Sequence, residues 1–165
     1  MDVEELFSKH QAALLRYLTR YTGDADAAAD AVQHVYLRLL ESPPRDDNNL
    51  KSWLFTVATN VVRDGWRREK VEERLRDAPE RARTETQAPD PHGQVERKER
   101  ILIARQMLTR VSERERTVLL MWVEGFAHQE IAEAVGTTVG TIGPTIARAL
   151  KKMSKHIDEF LQEDV

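Results

Sequence analysis

Residues 128–152, HQEIAEAVGTTVGTIGPTIARALKK, indicate the fold of the second half of the chain. Ala132, Gly136 and Ile142 have the spacing of a helix-turn-helix. The small residue lets a second helix approach, the glycine permits a turn with positive φ, and the branched side chain anchors the second helix. Thr138 is placed to cap that helix. Its apolar residues recur every three or four positions, at Val139, Ile142, Ile146, Leu150 and Met153. An ordinary helical hairpin would share this pattern, so other segments of the chain are needed to distinguish the two structures.

The preceding residues complete a four-helix domain over residues 94–165. Ser112 and Glu115 have the spacing of a capping box at the start of a helix. The run from Thr117 to Val123 is almost wholly apolar, which predicts that this helix is buried at the centre of the domain, and Gly125 ends it. The helix before it has an apolar side formed by Ile101, Ala104, Leu108 and Val111.

The composition changes over residues 77–93, DAPERARTETQAPDPHG. The segment has three prolines, no large apolar residue and mixed charge, which is typical of a flexible linker. The sequence therefore predicts an all-α fold, with two small helical domains joined by this linker and a helix-turn-helix at the end of the second.

The first domain, residues 1–76, has the periodicity of three helices. The first covers residues 3–21 and ends at Gly23, and the second follows Asp24 and stops at Pro43 and Pro44. A polar loop, RDDNN at residues 45–49, leads into a third helix that begins near Leu50 and reaches the seventies. The apolar stripe predicted for this third helix contains Leu50, Leu54, Val57, Ala58 and Val61.

A row of polar side chains lies opposite that stripe on the third helix. It holds hydroxyls, an amide and two guanidinium groups, flanked by Trp53 and Trp66, with Asp64 standing beside it. Such a face can bind phosphates and can stack with or hydrogen-bond exposed bases. A solvated helix face has a similar composition but usually includes Glu and Asp, so contact with nucleic acid is the favoured interpretation. The row consists of Ser52, Thr56, Thr59, Asn60, Arg63 and Arg67.

The composition limits the other classes of function. The formal net charge is −3, so a free-standing DNA-binding protein is disfavoured unless a larger partner supplies much of the affinity. There is no cysteine, no apolar run long enough to span a membrane and no export signal, and we therefore expect a cytoplasmic protein. The five histidines lack metal-ligand spacing, and no glycine-rich phosphate loop or nucleophile elbow is present. We predict no enzymatic activity, no metal, no cofactor and no small-molecule substrate.

Nearly the whole chain resembles the extracytoplasmic-function (ECF) sigma factors, the small two-domain initiation subunits of bacterial RNA polymerase. ADAVQHVYLRLLE, from residue 29, resembles the family segment that docks on the polymerase clamp, and LKSWLFTVATNVVRDGWRR, from residue 50, resembles the helix that opens and recognises the minus-ten element. SERERTVLLMWVEGFAHQEIAEAVGTTVGTI, from residue 112, resembles the minus-thirty-five reader. The polymerase contacts that the resemblance implies are Asp30, Gln33, Tyr36, Leu37 and Arg38.

The resemblance implies an alternative sigma factor that binds the clamp and flap of core RNA polymerase and melts promoter DNA. An extruded base would be captured near the RDDNN loop. The predicted DNA contacts in the first domain are Asn48, Asn49, Ser52, Trp53, Thr56, Asn60, Arg63, Arg67 and Arg68. Those in the second domain are Thr138, Thr141, Thr145, Arg148 and Lys151. An anti-sigma or membrane-bound regulator is the other expected partner, and the tail TIARALKKM resembles the iron-uptake branch.

The recognition helix departs from the family pattern. Where the family usually carries a Lys-Ser-Arg type of run, this chain has Gly143, Pro144 and Thr145. Proline removes a helical N–H and would collide with the carbonyl of Gly140, so the helix should kink or start late. This departure motivates a rival hypothesis, a sigma mimic that binds an anti-sigma regulator without promoter activity. A two-domain repressor is a further alternative, although it would have no need of the clamp-like segment.

Overall fold

The computed structural model describes residues 2–76 and 95–163, and within these ranges the regular structure is entirely helical. The chain divides into two compact units, residues 1–87 and 88–165. The predicted linker, residues 77–93, lies outside the described residues. The all-α prediction is confirmed.

The first unit contains α1 (Val3–Thr22), α2 (Ala25–Glu41) and α3 (Leu50–Arg76), with a 3₁₀ turn at Asp47–Asn49. Local signals set these boundaries. The Asp2 carboxylate accepts hydrogen bonds from the first backbone N–H groups of α1, and Asp24 does the same for α2. Gly23 ends α1 in the left-handed region at φ 71°, where a side chain would be strained.

The core of the first unit lies where α1, α2 and α3 meet. Tyr17 and Phe55 are both fully buried, and their ring centroids are 5.0 Å apart. The buried residues of α1 and α2 recur mainly every three or four positions, as the helical periodicity of these segments predicts. The core side chains are Phe7, Leu14, Tyr17, Leu18, Tyr21, Ala28, Ala31, Val32, Val35, Leu39, Leu50, Leu54, Phe55, Ala58 and Val62.

The buried face of α3 differs from the predicted one. Val57 and Val61 are only half-buried, whereas Phe55, Thr59 and Val62 lie in the core. The reason is that α3 packs against both α1 and α2, so its buried face is wider than a single stripe and is rotated towards α1. A one-helix periodicity argument cannot supply this second neighbour.

The second unit contains α4 (Val95–Thr109), α5 (Glu113–Val123), α6 (His128–Val135) and α7 (Ile142–Glu163), with a 3₁₀ turn at Val139–Thr141. The helix-turn-helix of α6 and α7 is confirmed. Ala132 and Ile142 are buried between the helices, and Gly136 ends α6 at φ 70°. The core side chains of this unit are Met107, Leu108, Val111, Val118, Leu119, Leu120, Met121, Phe126, Ile131, Ala132, Ile142, Ile146 and Ala149.

Several burial predictions for the second unit were wrong in detail. Trp122 and Val123, expected inside, are 42% and 54% exposed because α5 ends at the surface. Leu150 on α7 is largely exposed, and Ala149 takes the core position instead. Ala104 is also exposed, while the neighbouring turn of α4 buries Met107.

The predicted capping box at the start of α5 is confirmed, and it extends to α7. The Glu115 carboxylate accepts the Ser112 backbone N–H at 2.9 Å, and the Ser112 hydroxyl accepts the Glu115 N–H at 3.1 Å. Lys152 Nζ donates to both carboxylate oxygens of Glu115, at 2.7 and 2.8 Å. A buried carboxylate therefore joins the first turn of α5 to the middle of α7.

Candidate nucleic-acid interface

The polar row on α3 is only partly exposed to solvent. Asn60 and Arg67 are exposed, whereas Ser52, Trp53, Thr56 and Arg63 are half-buried. The Thr56 hydroxyl donates to the Ser52 carbonyl at 2.8 Å, so its hydrogen is engaged within the helix. Arg67 lies 3.9 Å from the Asp64 carboxylate in an exposed pair, which contributes little to stability. The Asn60 amide and the Arg67 guanidinium can thus be reached by a polyanion from solvent.

Two members of the predicted nucleic-acid face instead belong to the packing of α3 on α1. Thr59 is buried, and its Oγ1 lies 2.7 Å from the Tyr17 hydroxyl. The Trp66 ring stacks on Tyr21 with centroids 5.6 Å apart and planes inclined by 15°. Thr59 is therefore not part of the solvent-facing row. Its burial depends on the packing of α1 against α3, which the sequence of α3 does not show.

The two asparagines of the RDDNN loop are exposed on the 3₁₀ turn that precedes α3. The Asn48 backbone N–H donates to Asp46 Oδ1 at 3.0 Å, which stabilises the turn locally. The turn leads directly into Leu50, whose side chain is buried. The position of Asn48 and Asn49 is thereby tied to the first turn of α3, beside Ser52 and Trp53.

A groove of about 480 Å³ separates the exposed sides of α2 and α3. On α2 it is lined by Asp30, Leu37 and Arg38, three of the side chains predicted to contact polymerase. His34 also lines it. On α3 the groove is lined by Trp66 and its neighbours. The α3 residues that line it are Val61, Val62, Asp64, Gly65, Trp66, Arg68 and Glu69.

The structure separates the remaining predicted polymerase contacts from this groove. Gln33 is exposed but does not line it, and Tyr36 is half-buried against Phe7 of α1, with ring centroids 4.8 Å apart. Arg68, predicted as a DNA contact, lines the groove instead of the polar row. Leu37, one of the predicted polymerase contacts, is 53% exposed.

The start of α7 is unlike the polar row. The α-helix begins at Ile142 after a 3₁₀ turn, which confirms the prediction that the proline would make it kink or start late. Pro144 lies in the first turn, where backbone N–H groups have no helical partner, so its missing donor costs nothing. Thr138 caps only the 3₁₀ turn and makes no side-chain capping bond, so its predicted role as the cap of α7 was wrong.

The five predicted DNA contacts of the second unit differ in exposure. Thr138, Thr141, Arg148 and Lys151 are exposed. Thr145 is buried, and its hydroxyl donates to the Thr141 carbonyl at 2.6 Å and accepts from Arg148 Nη2 at 3.1 Å. Its burial argues against the predicted DNA contact and gives it a packing role.

The pKa values of Glu115 and His10 are shifted from their ordinary values. Burial by itself would raise the pKa of its carboxyl, but the hydrogen bonds from Lys152 and Ser112 and the attraction of Lys152 outweigh it and lower that pKa. Burial, followed by repulsion from Lys51 and Lys9, lowers the pKa of His10 on α1. Within residues 2–76 and 95–163, no cluster of His, Cys, Asp or Glu is arranged to hold a metal ion. No helix in these ranges is long and apolar enough to cross a membrane.

The two units match two protein families in order. Residues 6–72 match the model of sigma-70 region 2, and residues 101–153 match the model of sigma-70 region 4. The ECF RNA polymerase sigma factor EcfG of Rhodopseudomonas palustris (strain TIE-1) is 30% identical over 145 residues, which are 86% of this chain and 77% of the relative. The chain belongs to the ECF sigma factor family. It is therefore an alternative sigma factor, a DNA-binding transcription initiation factor whose partners are core RNA polymerase and promoter DNA.

Other proteins similar to this chain are also sigma factors. The ECF RNA polymerase sigma factor SigL of Mycobacterium tuberculosis (strain H37Rv) is 27% identical over 158 residues, 94% of this chain and 88% of the relative. The sigma factor RpoE of Bartonella quintana, solved in complex with the anti-sigma factor NepR, has a TM-score of 0.78 at 21% identity. The alignment covers 95% of this chain and 97% of that chain, and it shows a shared fold. The assignment to an iron-uptake branch stays a prediction.

Proposed function

We propose that this ECF sigma factor opens promoters with the polar row of α3 while its α2–α3 groove docks on the polymerase clamp. The observation that carries this proposal is the placement of Asn60 and Arg67 on the exposed side of α3, away from the groove. Long amide and guanidinium donors can follow the phosphates and base edges of a melted strand. The groove offers an exposed leucine flanked by Asp30 and Arg38, a composition suited to a protein partner.

Asn48 and Asn49 would supply the edge contacts to an extruded base. Amides can both donate and accept, and the turn that holds them lies next to the polar row. In the second unit, Thr138, Thr141, Arg148 and Lys151 would contact upstream promoter DNA, with the flap of polymerase as the protein neighbour. The domain limits that we propose are 1–76 and 94–165.

We also propose regulation by an anti-sigma or membrane-bound regulator. The similar RpoE protein of Bartonella quintana was solved with an anti-sigma factor, and such a regulator could occupy the α2–α3 groove in place of polymerase. We expect no enzymatic activity of its own and action in the cytoplasm, because the polymerase that it serves is there.

Run-off transcription with core polymerase tests the function. We expect initiation from specific sites on a genomic template, and no promoter-specific initiation on any template would overturn it. A photoreactive residue at position 60 should crosslink to the melted promoter strand. The same residue at position 69, which lines the groove on the other side of α3, should crosslink to polymerase.

The late start of α7 favours one second candidate, a sigma mimic that binds an anti-sigma regulator without promoter activity. Such a protein would bind the regulator and yet form no open complex. Crosslinking of position 60 or 67 to melted DNA would exclude it.

A further inference from the structure

The start of α7 offers DNA a surface without long polar side chains. Thr141, Pro144 and Ala147 are exposed and three residues apart, so they lie near one side of the helix. Over residues 137–147 no side chain carries an amide, amine or guanidinium group. Those are the groups that make bidentate hydrogen bonds to guanine or adenine in the major groove.

The threonine hydroxyls in this region are also engaged. Thr141 Oγ1 donates its one hydrogen to the Thr138 carbonyl at 2.8 Å. In the pair between Thr137 Oγ1 and Thr141 Oγ1, at 3.0 Å, Thr137 must therefore be the donor. Thr145 donates to the Thr141 carbonyl at 2.6 Å. Three of the four hydroxyl hydrogens are thus used within the turn.

The groups that this surface retains are methyl groups and the proline ring. In the major groove, the base feature that apolar groups recognise is the C5-methyl of thymine. The first cationic side chains, Arg148 and Lys151, follow one turn later and suit phosphates. The apolar surface and the cations thus lie on successive turns of the helix.

We propose that Thr141, Pro144 and Ala147 recognise thymine methyl groups in the upstream promoter element, in place of hydrogen-bonded base recognition. The proposal rests on the function proposed above for the second unit. It assigns the sequence specificity for the upstream element to residues without a free hydrogen-bond donor in their side chains.

Base analogues test the proposal in the complete holoenzyme. A pool of promoters randomised over the upstream element is selected with the sigma factor and core polymerase, and the preferred sequence is then remade with uracil in place of single thymines. Removing a contacted methyl group in this way should lower promoter affinity about three- to fourfold, the factor that corresponds to burying one such group. Replacing guanine or adenine by the 7-deaza analogue should change affinity less than about twofold, because no N7 contact is expected.

Uracil in the spacer provides the control for altered DNA flexibility and should have no effect. Equal binding of thymine and uracil elements, together with a loss on 7-deaza substitution, would overturn the proposal while leaving promoter recognition by the second unit intact. Initiation without any selected upstream sequence would instead overturn the proposed role of the second unit, and the inference with it.

Gly143→Lys supplies an independent arm. A Cβ at this position would meet only His128 Cε1, at 3.9 Å, which is ordinary van der Waals contact, so a side chain can be attached here without displacing the backbone. The added amine should confer a guanine preference and a sensitivity to 7-deazaguanine that the unaltered protein lacks. If the unaltered protein already shows that sensitivity, base recognition depends on hydrogen bonds and the proposal fails.

Discussion

The polar row of α3 and the start of α7 both belong to proposed DNA-contacting helices, yet they present opposite chemistry. On α3 the exposed members are an amide and a guanidinium, whereas at the start of α7 they are Thr141, Pro144 and Ala147. A melted strand exposes base edges and stacking faces that long donors can reach, while a closed duplex exposes its groove surface. Under the roles proposed above, the first unit would supply hydrogen bonds to opened DNA, and the second would contact the methyl groups of closed DNA.

The largest expected effect comes from removing the aromatic support of α3. Phe55→Ala should lower the free energy of unfolding of the first unit by about 3–5 kcal/mol, because a fully buried ring in contact with Tyr17 is replaced by a cavity. Hydrogen exchange, followed peptide by peptide in denaturant, would measure each unit separately. We expect the second unit to keep its protection.

Val71→Ala is the matched control on the same helix, since Val71 is 55% exposed and should change stability by less than about 0.5 kcal/mol. Equal destabilisation by the two variants would mean that α3 does not depend on its packing against α1.

The next effect in size concerns the exposed donors themselves. Asn60→Ala combined with Arg67→Ala should reduce promoter opening about 10- to 100-fold, as expected for the loss of two contacts to DNA of about 1–3 kcal/mol each with partial compensation. Permanganate reactivity of unpaired thymines measures the opening. Stability should hardly change, because Arg67 forms only a long, exposed pair with Asp64.

Glu73→Ala, at an exposed position further along α3, should leave opening unchanged. If the double variant opens promoters as well as the unaltered protein, the polar row is a solvated face and the contrast with α7 disappears.

A smaller effect should follow from acidification of the second unit. The pKa of Glu115 is lowered in the folded state, so its contribution is present above its ordinary pKa and is lost as the pH falls through the folded-state value. Glu115→Gln should therefore flatten the decline in stability at acid pH and should cost roughly 1–3 kcal/mol at neutral pH, where the ion pair with Lys152 is intact.

Thermal unfolding from neutral to acid pH measures this dependence. Glu133→Gln, at an exposed position on α6, leaves Glu115 in place and should retain the acid decline. A persistent decline of the same size in Glu115→Gln would assign it to other carboxylates.

The smallest effect tests the buried hydrogen bond between Tyr17 and Thr59. The Thr59 hydroxyl donates to the Phe55 carbonyl at 2.8 Å, so in the 2.7 Å contact with Tyr17 the tyrosine is the donor. Tyr17→Phe should lower the stability of the first unit by about 0.5–1.5 kcal/mol, without exposing Thr59 or changing promoter opening. Urea denaturation and the permanganate assay distinguish this outcome from a role in DNA contact.

The sequence was most informative where a signal acts over three or four residues. The capping box of Ser112 and Glu115, the glycine at the end of α6 and the late start of α7 before Pro144 all depend on local backbone geometry, and all were predicted correctly. Candidate side chains on α3 were harder to assign. Thr59 and Asn60 are neighbours with similar polarity, and only the position of α1 places one in the core and the other in solvent.

The sequence by itself determined the helices, the capping box of α5, the order of the two units and the residue types available for DNA and polymerase. Periodicity and capping express interactions within one helix, so they can be recognised without knowing its neighbours. Tertiary structure alone decided that α2 and α3 enclose a groove containing Asp30, Leu37 and Arg38, and that Glu115 engages Lys152 thirty-seven residues away. Those outcomes depend on which helix faces pack together. Packing depends on how well whole helix surfaces fit one another, and the spacing of residues within a single helix does not determine it.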